Sequence, residues 1–275
     1  MAERSDPGSA LAAGKDFVGE DESQDTQEGG DRSRMSFLEH LDELRRRLVY
    51  SAYALLASCF VTFWFWKPMY LYAVSYFNAY GGQLIFNQPM SGFMFSLKLS
   101  ALGGVVLASP FLFSQLWLFV APGLYAKEKR VVIPFVLSSS ALFGGGVWFA
   151  HRIAFPSMLQ FFATYEMGGM KYFPTLEAIF GLYVKVVLGL GLIFQMPILV
   201  FFLARFGMLT AGFMLRKFKY AVLIIFVIAA VITPTGDPVN LMVFAAPMLA
   251  LYVLSIGVAW LFGKKKREAD SREWT

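Results

Sequence analysis

Six runs of mostly apolar residues, each closed by charge, proline or a polar turn, decide what this chain can fold into. The hydrocarbon core of a bilayer is about 30 Å thick, and a helix needs about 20 apolar residues to cross it. Helix is the form required, because lipid offers no partner to an unpaired backbone group. The runs place spans near 48–66, 97–120, 131–155, 176–206, 218–232 and 239–262. The second stops at Ala121-Pro122-Gly123, and the third can carry Pro134 in its first turn. The fifth is short, bounded by Lys219 and Thr233-Pro234, and Thr235-Gly236-Asp237-Pro238 joins it to the sixth as a tight hairpin. A span that short thins the bilayer locally or leaves its end recessed. The expectation is an all-α integral membrane protein whose six transmembrane helices occupy 34–263.

Charge sets the orientation. Only 16% of the residues are charged, against about 25% in a soluble domain. The net charge of +5 would suit a nucleic-acid surface, but the basic residues stand in short clusters between apolar runs, as in cytoplasmic loops. With the N-terminus in the cytoplasm, nineteen Lys and Arg fall on that side and four on the other, namely Lys67, Lys98, Arg152 and Lys171. Both termini are therefore expected inside, with no nucleic-acid partner. Residues 1–33 are acidic and polar, without period, and read as a disordered tail; 264–275 read as a basic cytoplasmic tail. No cleavable signal peptide is expected, since the first apolar run starts at Leu48 and ends at Lys67-Pro68 without a small-residue cleavage site. Between tail and first span, Phe37, Leu38, Leu41, Leu44 and Leu48 recur at helical spacing, so Met35 to Arg47 reads as a short helix lying on the interface. Ser36 with Glu39 forms its capping box.

Several chemistries are excluded. Cys59 is the one cysteine, so neither a disulfide within the chain nor a cysteine metal site is available. His40 and His151 have no carboxylate at metal-ligand spacing, so no metal or cofactor is expected. No Gly-x-Ser-x-Gly, His-Glu-x-x-His or phosphate-loop motif is present, which argues against a membrane enzyme. Gly103-Gly104, Ser138 to Ser140 and Gly144 to Gly146 read as packing surfaces.

The polar residues each carry two readings. Lys185, between Gly181 and Gly189 on a small-residue face, either snorkels to the outer interface or is functional. Gln195, before Met196-Pro197, either satisfies a carbonyl that the proline frees or bonds a neighbouring helix. Asp237 before Pro238 is a helix cap that can also be required for function. Asp42 and Glu43 pair with Arg46 and Arg47 four residues on, and Glu128 is a solvated loop charge. Alternatively, Glu43 and Glu128, at the cytoplasmic ends of spans, hold guanidinium groups bidentately.

The stretch Phe37-Leu38-Glu39-His40-Leu41-Asp42-Glu43-Leu44-Arg45 resembles the amino-terminal motif of the TatC family, the core subunit of the twin-arginine protein translocase. Ser109-Pro110, Gln115, Trp117, Phe119, Pro122-Gly123-Leu124-Tyr125 and Glu128 resemble its second helix and first cytoplasmic loop. Phe143-Gly144 with Gly146, Phe155-Pro156, Phe194-Gln195-Met196-Pro197 and Thr233-Pro234 with Asp237 extend the likeness, which covers roughly Phe37 to Phe262. The resemblance implies a concave, glove-like bundle of six helices in a bacterial cytoplasmic membrane. It implies binding of twin-arginine signal peptides, self-association, and assembly with single-span TatA- and TatB-type subunits. Folded cargo then passes outward on the proton-motive force. By the same resemblance, Glu43 and Glu128 match the carboxylates that meet the arginines, and Phe119, Leu124 and Tyr125 match their apolar surround. Gln115 stands in the second-helix motif, Gln195 matches a polar position of the concave face that is often Glu, and Asp237 matches an acid of the last outer loop. The chain departs from the pattern at Tyr76, near a usual proline, and at Val253, where Glu often follows the tyrosine. A secondary transporter is the competing reading; it predicts a repeat relating two halves, and none is visible.

Overall fold

The computed structural model describes residues 21–81, 84–120, 132–164, 174–233 and 237–263. These form α1 Asp21–Trp64, α2 Trp66–Gly81, α3 Ser91–Val120, α4 Val132–Phe149, α5 Phe155–Ala163, α6 Leu176–Ile193, α7 Met196–Arg205, α8 Ala211–Arg216, α9 Phe218–Ile232 and α10 Pro238–Phe262. Among the described residues there is no β-strand, only an isolated bridge between Ile85 and Thr175. Five stretches are long and apolar enough to cross a bilayer: Glu39–Trp64, Ser91–Phe119, Ile133–Ala163, Leu176–Arg205 and Pro238–Phe262. The sixth apolar helix, α9, has 15 residues. At about 1.5 Å per residue it reaches only about 22 Å, less than the hydrocarbon core.

The chain divides into two compact units, Met1–Val49 and Tyr50–Thr275. In the first, helix runs back to Asp21, into residues expected to lack structure. Of the residues expected as an irregular tail, 21–33 are helical; 1–20 lie outside the described residues, as do 264–275. Nor is Met35 to Arg47 a separate interface helix: no Gly or Pro interrupts the chain from there to Trp64, and α1 covers it all.

In the second unit α3 packs on α4, α4 on α6, α7 and α9 on α10, and α2 on α3 and α5. Phe77, Phe95, Phe155, Phe180 and Phe244 anchor the core, none more than 1% exposed. Phe60, Trp64, Val231 and Trp260, by contrast, are 72 to 80% exposed, an arrangement suited to lipid and not to water. Two glycines permit backbone contact between helices. A Cβ on Gly104 would stand 2.8 Å from the Cα of Cys59, and one on Gly146 would stand 2.9 Å from the Cα of Gly191. The first contact lets Ser58 donate to the carbonyl of Gly104 at 2.9 Å and Thr62 to that of Ser100 at 2.7 Å, tying α1 to α3.

Prolines explain the departures from regular helix. Pro110 inside α3 cannot donate to Val106, and the Ser109 hydroxyl takes that carbonyl instead at 2.8 Å. Pro156 is preceded by one turn of π-helix, Ala150–Ala154, in which the Phe155 amide reaches back to Ala150. The next bond in that pattern would run from residue 156 to His151, and proline has no N–H to make it. The Tyr76 hydroxyl donates to the His151 carbonyl in its place. The span expected over 131–155 therefore continues past the bulge to Ala163. The span expected over 176–206 is broken at Phe194-Gln195, just before Pro197, into α6 and α7. Lys67-Pro68, read as the end of the first span, also opens α2, the helix that carries Tyr76; Pro68 occupies its first turn, where a missing N–H costs nothing.

Candidate functional site

Glu43 lies on α1, where Arg47, one turn on, donates Nε to its Oε1 at 3.0 Å and brings Nη2 to the same oxygen. The local ion pair read from the i, i+4 spacing is thus formed, and it already presents a guanidinium to this carboxylate. Phe119 lies half-buried near the end of α3, and Gln115, one turn earlier, is half-buried without a hydrogen bond to any described residue. Leu124, Tyr125 and Glu128 lie outside the described residues.

Gln195 sits at the break between α6 and α7. Its side chain caps neither helix; Nε2 donates to the carbonyl of Ser139 on α4 at 2.9 Å. Of its two readings, the bond to a neighbouring helix is the one formed. Ser139 is fully buried, and its hydroxyl accepts the indole N–H of Trp117 from α3 at 2.7 Å. One serine therefore joins three elements. Trp117 stacks on Phe202 of α7 with ring centroids 4.3 Å apart, and Ile198 completes the cluster. Ser138 to Ser140 were expected only to pack; Ser139 does more, and the signal for it was an indole in an apolar run, which needs an acceptor.

Asp237 caps α10 as expected. Its Oδ2 accepts the Asn240 amide at 2.9 Å, and its Oδ1 accepts the Asn240 side-chain Nδ2 at 3.1 Å. Lys185 is exposed on α6 and makes no ion pair among the described residues. The small-residue face proposed around it does not pack as a unit: Gly181 has open space where a side chain would stand, while Gly189 approaches Ile232. An exposed lysine on a lipid-facing helix suits snorkelling.

A second polar cluster escaped sequence reasoning. His151, in the π-turn, bonds Tyr72 through Nε2 and Tyr183 through Nδ1, both at 2.9 Å, and its ring stacks on Tyr76 with centroids 4.2 Å apart. Burial first, then the neighbouring Tyr183, pushes the Tyr76 phenol well above its ordinary pKa, so it remains a donor to the His151 carbonyl at any physiological pH. No linear motif announces this group, since its members come from α2, the π-turn and α6. Among the described residues no group of His, Cys, Asp and Glu could hold a metal ion.

Comparison with known proteins places this geometry. A family model described as Sec-independent protein translocase protein (TatC) matches residues 39–247. The TatC protein of Koribacter versatilis is 43% identical over 251 residues, covering 87% of this chain and 92% of that protein. That of Helicobacter pylori is 36% identical over 242 residues, covering 86% and 96%. The crystal structure of the twin-arginine translocase receptor TatC superposes with a TM-score of 0.69 at 31% identity, covering 80% of this chain and 97% of that one. With helices that cross a membrane, the proline-linked breaks in place and relatives matched over nearly their whole length, this chain belongs to the TatC family and is a multi-pass membrane subunit of the twin-arginine translocase.

Proposed function

We propose that this chain is the signal-peptide receptor of its translocase, with Glu128, supported by Glu43, taking the two arginines of the cargo signal. The observation that carries the reading is the Glu43 carboxylate, which already holds the guanidinium of Arg47 through two nitrogens. An arginine from cargo needs the same chemistry, and a lysine ammonium cannot supply the planar fork. Phe119, Leu124 and Tyr125 lower the local polarity and strengthen each pair. Assembly with TatA- and TatB-type single-span subunits, self-association, and export of folded cargo on the proton-motive force belong to the same reading, in which the chain catalyses no covalent chemistry. So do residence in the bacterial cytoplasmic membrane and cytoplasmic placement of both termini, supported by the Lys and Arg bias. Gln115, Gln195 and Asp237 serve as supporting polar positions, and residues 1–33 are dispensable for recognition.

The test is binding of a twin-arginine signal peptide to the purified protein, against a Lys-Lys control. Removing one charged partner of a buried pair costs about 2–5 kcal/mol, so Glu128→Gln is expected to lose roughly 30- to several-thousand-fold in affinity. An exposed loop carboxylate would lose well under about 1 kcal/mol. Glu43→Gln is expected to lose less, because Arg47 competes for that carboxylate. The double variant is expected to stop preferring Arg-Arg. Unchanged affinity in folded Glu128→Gln would remove Glu128 from the site.

A further inference from the structure

A cavity of about 400 Å³ opens among α1, α2, α3, α4, the π-turn and α6, apart from the residues assigned to signal recognition. Its walls are apolar, with Met69, Leu99, Leu102, Val106 and Val147 among them, and its polar end is the cluster of Tyr72, Tyr76, His151 and Tyr183. That composition, hydrocarbon walls with a few convergent polar groups, is the one small-molecule sites use, and the size lies in their range. The walls belong largely to membrane-spanning helices, so what reaches the cavity comes from the bilayer. Leu107, at its rim, is 55% exposed and marks a lateral opening. A partner helix, about 10–12 Å across with its side chains, is too bulky for this volume, which a single turn would fill. A single hydrocarbon chain is not.

Charge at the polar end says which lipid. Arg152 follows His151 in the π-turn, is exposed, and acts electrostatically on the Tyr76 hydroxyl. It comes nineteen residues after Ile133, where the third long span begins. At about 1.5 Å per residue that distance is about one hydrocarbon thickness, so Arg152 reaches the far interface while the rest of the 31-residue stretch, to Ala163, runs on beyond it. Arg152 has no ion pair among the described residues. The cavity thus has an apolar interior, phenol and imidazole groups at one end, and beside that end an exposed cation without an ion pair among the described residues. We propose that this cavity is a binding site for an anionic phospholipid, one acyl chain lying inside and the phosphate held by Arg152.

The experiment is native mass spectrometry of the purified full chain released from non-ionic detergent, titrated with phosphatidylglycerol or phosphatidylcholine of the same acyl chains. One phosphatidylglycerol is expected to be retained about tenfold more tightly than phosphatidylcholine. Val106→Trp, which fills the cavity, is expected to weaken that retention by about tenfold or more. Arg152→Gln is expected to level the two lipids while leaving twin-arginine peptide binding unchanged, which separates this site from signal recognition. Equal retention of the two lipids by the native chain would overturn the proposal, as would undiminished phosphatidylglycerol binding in folded Val106→Trp. Should Val106→Trp fail to fold, Leu107→Trp at the exposed rim decides in its place.

Discussion

Asp237 shows how far one side chain can be taken. Its two oxygens hold the backbone and the side chain of Asn240, so its first duty is to start α10. Asn and Ser cap nearly as well as Asp, whereas Ala forfeits about 1 kcal/mol. Thermal unfolding in detergent is therefore expected to leave Asp237→Asn at the native Tm and to lower that of Asp237→Ala. Export by Asp237→Asn is expected to fall even so; export at the native rate would reduce Asp237 to a cap. The cap was legible because Asp-Pro is a local signal, complete within four residues. The Glu43–Arg47 pair was legible for the same reason. Ser139 was not, since its two donors come from Trp117, 22 positions earlier, and Gln195, 56 positions later. A hydroxyl in an apolar run gives no hint of which distant groups will meet it.

At the level of helices, apolar length was enough to find all six segments, because a bilayer leaves an apolar run no other stable form. Interruptions were harder. The break at Phe194-Gln195 had Pro197 as its signal, but the π-turn at Ala150–Ala154 depends on Tyr76 of α2 to take the carbonyl that Pro156 leaves without a donor. The glycines divide in the same way. A Cβ on Gly146 would press 2.9 Å from both the Cα of Gly191 and the carbonyl oxygen of Leu190, backbone that cannot swing aside. One on Gly144, two residues away, meets nothing within 4 Å. Gly146→Ala is therefore expected to destabilise the α4–α6 contact by about 1–3 kcal/mol, as overpacking does. Gly144→Ala is expected to be neutral or slightly stabilising, since it removes helix-interior glycine. Comparing the two midpoints in one detergent checks both at once; equal Tm values would show that the close approach is not fixed.

For the molecule as a whole, the expected topology follows from charge and can be read chemically. After Cys59→Ser, single cysteines at Lys127 and beyond Gly263 are expected to resist an impermeant thiol reagent in intact cells. Those at Gly81 or Gly169 are expected to react. Labelling of both sets from outside would end the model with both termini in the cytoplasm. Trp117 offers another view of the working molecule. It is 8% exposed, stacked on Phe202 and bonded to Ser139, while Trp64, Trp148 and Trp260 are 61 to 79% exposed. A quencher dissolved in the acyl chains should therefore darken those three and spare Trp117. With Trp66 and Trp274 replaced by Phe, the emission that survives is an optical gauge of the joint between α3, α4 and α7. A change in that residual signal when signal peptide is added would mean that recognition at the membrane surface is felt in the interior; a constant signal would mean that the joint stays rigid while cargo docks.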